Sequence, residues 1–316
     1  MTTNILYIAV SLVLLFFGAE ALVRGSASIA LRAGLSSLMV GLTIVAFGTS
    51  SPELVVSIKA ALSDQGAIAV GNVVGSNSFN IGIILGLTAL ICPIPVHRQI
   101  IRIDAPIALA VALILPLLLF NGHLGRLSGA FLFTGIICYI VMNVFLARKE
   151  SNTAQPSSDG EPLEAAPTRH WIIDVLLILG GLGILVLGSR LLVDNAVVLA
   201  KGLGVSEALI GLTIVAAGTS MPELATSVVA AIRKQPDIAI GNVIGSNVFN
   251  ILGILGVSSM VAPLNATGIT MLDYGFMIAF SLLLLPLLYT GRVLHRVEGL
   301  LLLGLYGVYL FLLWPK

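Results

Sequence analysis

Two acidic residues sit where an apolar chain should exclude them. Glu53 closes the stretch GTSSPE, residues 48–53, and Glu223 closes GTSMPE, residues 218–223. Each acid follows a proline inside a long apolar segment, and the first basic residue after Glu53 is Lys59. A second pair of matching blocks follows, GNVVGSNSFNI at 71–81 and GNVIGSNVFNI at 241–251. Asn72, Ser76 and Asn80 recur at every fourth residue, which puts them on one helix face, and Asn242, Ser246 and Asn250 repeat the pattern. Carboxylates, hydroxyls and amides together make an all-oxygen donor set. Hard cations want such a set, and Ca2+ takes about six to eight oxygens. Na+ is similar in size with half the charge, so one cage can admit either. Zinc or copper would want imidazole or thiolate. The four histidines (His97, His123, His170, His295) fall in loops or near span ends, and Cys92 and Cys138 lie outside the motifs.

The elements that hold these residues must lie in a membrane. Of 316 residues, 58% are hydrophobic and only 10% charged, with a mean hydropathy of +1.08. Soluble domains carry about 25% charged residues. A net charge of +1 gives no basic field for nucleic acid. The two cysteines indicate neither a disulfide framework nor a metal cluster. The apolar run from Ile5 to Ala19 lacks a basic segment before it, so no cleaved signal peptide is expected.

A spanning helix needs about 20 apolar residues. Ten segments qualify, near 4–24, 37–61, 66–91, 102–120, 127–147, 171–191, 206–231, 237–261, 271–290 and 297–314. Between the fifth and sixth, residues 148–170 are rich in proline and small polar residues and read as a flexible linker. The linker separates two copies of one unit. At an offset of 170, residues 41–58 match 211–228 at 13 of 18 positions, and 71–81 match 241–251 at 9 of 11. The expected fold is an all-α membrane protein of two five-helix repeats, 1–147 and 171–316. An odd number of spans makes the second repeat enter from the opposite side, the inverted plan of many secondary transporters. With the N-terminus outside, eleven Lys and Arg residues fall on the cytoplasmic side and five outside, so both termini are expected outside and the linker inside the cell.

Glu53 lies about 24 Å along the second span at 1.5 Å per residue. Pro52 lacks an amide hydrogen and Gly48 permits a bend, so the second span is expected to break around Gly48–Ser51 and restart at Pro52. The seventh should break likewise. Such breaks survive where backbone lines a cavity, and they free carbonyls for cations. Ser50 with Glu53, and Ser220 with Glu223, also fit a helix-capping box. Capping explains the restart but not the acid, since an ionised carboxylate at a span centre costs about 3 kcal/mol. Glu53 and Glu223 are therefore read as cation ligands, with ion contact also favoured for Ser76 and Asn80 and their counterparts Ser246 and Asn250. The glycines of the GxxxG pairs, Gly71 with Gly75 and Gly241 with Gly245, read as helix packing. Asn72 and Asn77 read as structural amides.

The duplicated GTSSPE and GNVVGSNSFN blocks resemble those of the sodium/calcium exchangers of the calcium/cation antiporter superfamily, over nearly the whole chain. The resemblance implies an antiporter rather than an enzyme, working by alternating access with Ca2+ and Na+ as substrates and no cofactor. It implies that Glu53 and Glu223 bridge Ca2+, helped by the carbonyls of Thr49 and Thr219. It assigns Na+ to the Ala46 and Ala216 carbonyls, the side chains of Ser50, Ser220, Thr49, Thr219, Ser76 and Ser246, and the same glutamates. The first and sixth spans would be the moving gate, sliding on Gly18, Gly25, Gly181, Gly183 and Gly188. Exchangers of this family often carry an acid at a position matching Asn80 or Asn250, and both are amides here. Coupling to H+ or K+, and a cation channel, stand as alternatives to sodium coupling.

Reporter tags test the orientation. Tags within 155–160 are expected to be cytoplasmic and tags at both termini external. An external linker with a cytoplasmic N-terminus would reverse the assignment.

Overall fold

The computed structural model describes residues 2–33, 35–153, 170–202 and 216–313. In chain order the helices are α1 (Thr2–Ala33), α2 (Ser37–Thr49), α3 (Ser51–Leu62), α4 (Gly66–Ile91), α5 (Ile100–Leu118) and α6 (Arg126–Thr153). They continue with α7 (Trp171–Gly202), α8 (Ala216–Thr219), α9 (Met221–Ile232), α10 (Pro236–Val261), α11 (Met271–Tyr289) and α12 (Arg296–Leu313). Among the described residues, eight helices are long and apolar enough to cross a membrane, and the bent pair α2–α3 makes a ninth span. The first part of the expected seventh span lies outside the described residues, as does most of the expected linker. α6 runs on to Thr153, into the start of the stretch read as linker.

The break in the second span falls where proline and glycine place it. α2 and α3 meet at 44° across Ser50, whose φ and ψ are −82° and 4°. Ser220 sits in the same conformation between α8 and α9, at −90° and 9°. The helix resumes at Ser51 and Met221, so each proline takes the second position rather than the first as expected. Pro52 and Pro222 have no N–H to give the carbonyl four residues back. For Gly218 that loss is made good by Ser189 of α7, whose hydroxyl donates to Gly218 O at 2.6 Å.

Sequence periodicity did not foresee the π-helical turns. They occupy Gly41–Val45 in α2, Asn80–Leu85 in α4, Ile100–Asp104 in α5 and Phe249–Leu255 in α10. A π turn shifts the face on which later side chains emerge, and such turns cluster at functional sites. Here Asn80 opens one and Asn250 lies within another.

The core is built on α4 and α10. The most apolar window of α10 is wholly buried and that of α4 is 72% buried, against 17% for α12. α2 crosses α10 with the backbones nearly touching. A Cβ on Gly241 would stand 2.9 Å from Leu38 O, and on Gly41 2.9 Å from Ile238 O, so the packing role expected of Gly241 holds. A Cβ on Gly75 meets nothing among the described residues. Two short ladders tie the helix ends. Ile94–Pro95 (β1) pairs antiparallel with Val293–Leu294 (β4), and His123–Leu124 (β2) with Leu264–Asn265 (β3).

α1 and α7 run alongside each other as a pair. A Cβ on Gly181 would meet Gly18 O at 2.7 Å and Leu22 N at 2.8 Å. Both helices are longer than a bare span requires, because their charges find partners. Arg32 at the end of α1 pairs with Asp174 of α7 at 2.7 Å, and Ser28 donates to the same Asp174 oxygen at 2.7 Å. Glu20 of α1 pairs with Arg24 one turn on. It also receives Arg233, just past α9, through Nε at 2.7 Å and Nη2 at 2.5 Å.

The glycine contact is testable on one helix. Gly181→Leu is expected to force α1 from α7 and cost about 1–3 kcal/mol, read as a lower melting temperature. Gly180→Leu, where an added Cβ meets nothing within 4 Å, is expected to change it little.

Candidate functional site

The two acids meet across the halves of the chain. Glu53 and Glu223 stand in the first turns of α3 and α9, placed there by the breaks at Ser50 and Ser220. Each is 1% exposed. Neither serine caps its own helix. Instead Ser50 Oγ donates to Glu223 Oε1 at 2.8 Å and Ser220 Oγ donates to Glu53 Oε1 at 3.2 Å. The capping box read from the sequence is therefore replaced by an exchange between halves. Each carboxylate uses one oxygen in that exchange. Among the described residues Glu53 Oε2 and Glu223 Oε2 are buried with no hydrogen-bond partner. A carboxylate oxygen without donor, water or counter-charge is costly inside a protein. Two of them side by side in the fold call for a cation.

The rest of the oxygen set gathers around the same breaks. Ser76 Oγ lies 3.1 Å from Ser220 Oγ. Thr49 and Thr219 also reach across, donating to Asn242 Oδ1 at 3.0 Å and to Asn72 Oδ1 at 3.3 Å. A hydroxyl that gives away its proton keeps lone pairs for a cation. Asn72 and Asn242 serve as props. Asn72 donates to Ser57 Oγ at 3.2 Å, and Asn242 to Ser227 Oγ at 3.0 Å and Glu223 O at 3.3 Å. Asn72 thus matches its reading as a structural amide. Ser246 Oγ, Asn80 Oδ1 and Asn250 Oδ1 are buried and, like the two Oε2 atoms, lack a partner.

The Ala46 carbonyl, expected to be freed by the break, is engaged in the helix yet keeps a second lone pair. Its oxygen accepts the Ser50 amide at 3.0 Å, and Thr49 Oγ1 lies 3.4 Å away. In the second copy the Ser220 amide donates to Ala217 O at 3.2 Å, while of Ala216 the structure describes only the backbone, at the start of α8.

Asn77, read from the sequence as a structural amide, and Asn247, which that reading passed over, complete the arrangement. Asn77 and Asn247 cross between α4 and α10: Asn80 Nδ2 donates to Asn247 Oδ1 at 2.9 Å and Asn250 Nδ2 to Asn77 Oδ1 at 3.0 Å. Asn77 falls off the four-residue spacing that marked Asn72, Ser76 and Asn80, so periodicity gave it no weight. Among the described residues no group of three or more His, Cys, Asp or Glu gathers to hold a metal. The donors are two carboxylates with neutral oxygens, which suits a weakly held, exchangeable hard cation rather than a resident transition metal.

Fold and site define a polytopic all-α membrane protein built around a buried oxygen cage. The chain belongs to the sodium/calcium exchanger protein family, whose sequence profile matches residues 3–145 and 173–314. It is 39% identical to the putative antiporter CaxA of Alkalimonas amylolytica, over 98% of each chain. It is 32% identical to the sodium/calcium exchanger MaX1 of Methanosarcina acetivorans, over 99% of each. Among solved structures it superposes on the sodium-calcium exchanger NCX_Mj soaked with zero Na+ and Ca2+, with a TM-score of 0.83, 32% identity and 98% of each chain covered.

The unpaired oxygens predict a signature in melting experiments. Glu53→Gln and Glu223→Gln are each expected to leave the cation-free melting temperature unchanged or higher, since a hydrogen-bonded amide is cheaper to bury than a lone carboxylate. The rise in melting temperature that Ca2+ gives the wild type should shrink in both, because stabilisation follows affinity. Destabilised variants that still respond fully to Ca2+ would return the glutamates to a structural role.

Proposed function

We propose that this protein is a secondary active antiporter that exchanges Ca2+ for Na+ across a membrane by alternating access. The observation that carries the reading is the pair of buried carboxylates, each tied to the other half of the chain by one oxygen and left unpartnered at the second. Glu53 and Glu223 hold Ca2+ between the two halves, with the Thr49 and Thr219 carbonyls. Na+ takes the oxygens of Ser50, Ser220, Thr49, Thr219, Ser76 and Ser246, the Ala46 and Ala216 carbonyls, and the same acids. Asn80 and Asn250 add two neutral oxygens. Two formal negative charges balance one Ca2+ or two Na+, so the ions compete for one cage and their movements are coupled. No covalent step is involved, and the ions are substrates rather than cofactors.

The two copies, 1–147 and 171–316, form inverted five-span repeats joined by a cytoplasmic linker at 148–170, with both termini outside. The strand pairings support this count. A ten-span chain puts the loops holding β1 and β4 on one face and those holding β2 and β3 on the other, and each of these pairs is hydrogen bonded. α1 and α7, packed on each other through glycine, are the elements that slide across the core.

Ion flux in sealed vesicles tests the whole reading. Purified protein in vesicles loaded with Na+ is expected to take up Ca2+ when the Na+ gradient is imposed, and to stop when the gradient is collapsed. Glu53→Gln and Glu223→Gln should abolish that uptake while still inserting. Uptake that needs no counter-ion would indicate a channel. Uptake driven by H+ or K+ gradients alone would overturn sodium coupling.

A further inference from the structure

The two short motifs SNSFN and SNVFN each hold two asparagines. Asn77 and Asn247 close a reciprocal ring across the halves, each side chain on the other's backbone carbonyl, and Asn250 and Asn80 hang from that ring by one bond each. Asn77 Nδ2 donates to Asn247 O at 3.1 Å, and Asn247 Nδ2 to Asn77 O at 3.3 Å. Asn250 Nδ2 donates to Asn77 Oδ1 at 3.0 Å, and Asn80 Nδ2 to Asn247 Oδ1 at 2.9 Å. All four residues are buried. We infer that Asn77 and Asn247 are positioning residues that fix which end of the Asn250 and Asn80 amides faces the ions. The inference rests on the exchanger reading and assigns to it two residues that touch no ion.

The ring leaves the amides no choice of orientation. A backbone carbonyl can only accept, so the nitrogen end of Asn77 must face Asn247 O, and the nitrogen end of Asn247 must face Asn77 O. Their oxygen ends are then turned to the second pair. An oxygen that accepts must be met by a donor, so Asn80 and Asn250 are obliged to present nitrogen there. What remains of each is Oδ1, buried and without a partner. Both free atoms thus have the polarity a cation wants. An amide turned the other way would offer hydrogen to a cation and repel it. Unheld, Asn80 and Asn250 could flip, and only the fraction in the right orientation would bind.

The wiring is crossed, and that makes it specific. Asn77 of α4 holds Asn250 of α10, while Asn247 of α10 holds Asn80 of α4. Each neutral ligand is oriented by the opposite half of the chain. The preceding Ser50–Glu223 and Ser220–Glu53 bonds follow the same rule.

A double-mutant cycle on full-length protein in vesicles tests this, reading half-saturating Ca2+ and maximal rate separately, with Ca2+-dependent melting of the same samples. Asn77→Ala is expected to raise half-saturating Ca2+ about tenfold, the usual loss when the partner of a metal ligand is removed, while the maximal rate holds. In an Asn250→Ala background it should add almost nothing, because the residue it acts through is gone. In an Asn80→Ala background it should keep its full effect. Asn247→Ala should show the reverse preference. Equal effects in both backgrounds would mean packing, and would overturn the inference. Asn77→Ser runs the same cycle where the alanine variant does not insert. Failure of both to insert would also overturn it, since the ring would then serve folding. A wild type that takes up no Ca2+ against Na+ would sink the exchanger reading itself. Normal wild-type uptake with additive cycles would sink this inference alone.

Discussion

Everything in this fold answers to two carboxylates that water does not reach. Each of Glu53 and Glu223 is 1% exposed, and among the described residues neither has a basic partner. Buried acids of this kind are tolerated only where hydrogen bonds and a counter-charge are at hand. The chain supplies the bonds from its opposite half, through Ser50 and Ser220. It leaves the counter-charge to be brought in. The helix breaks at these serines, the close crossing of α2 on α10 and the crossed asparagines all follow from having to face two half-sites against each other.

The same constraint sets a buried core apart from a pair of long, less buried helices. α4 and α10 are buried nearly throughout and carry the neutral oxygens on or beside π turns. α1 and α7 are less buried and meet each other through glycine backbone rather than interlocking side chains. Glycine surfaces are smooth, so such a pair can translate with little change in contact. α7 also touches both breaks: the Ser189 hydroxyl serves Gly218 O beside the second, and Leu182 packs on Gly48 at the first, where an added Cβ would stand 2.8 Å from it. The position matching Ser189 in the first copy is Ala19, which has no hydroxyl to offer.

Much of this was legible in the sequence. The repeat was visible because the same few polar residues recur in both halves, and those blocks stand out from apolar surroundings. Pro52 and Pro222 announced the breaks by their missing amides. The capping box, by contrast, was a sound local inference that lost to a long-range one. Ser50 reached Glu223 rather than its own helix because the opposite acid had the larger unmet demand. The asparagine ring was hidden for a related reason. Asn77 meets Asn247 across 170 residues, and its direction depends on packing that no local pattern encodes. The length of α1 was hidden too, because Arg24 and Arg32 look like an end to a span until Glu20 and Asp174 are seen to receive them.

The ties at Glu20 carry a consequence for energetics. Glu20 gathers Arg24 and Arg233, joining α1 to the end of α9. At the offset of 170 residues the positions matching Glu20 and Arg233 are Arg190 in the second copy and Ser63 in the first, which cannot form that bond. A carrier made of two identical halves would spend equal time open to each side. Among the described residues this chain has the clasp between α1 and α9 and no counterpart at the matching pair, so its two halves are not energetically equivalent. A change of state that parts α1 from α9 has to break that clasp, and one that keeps them together does not.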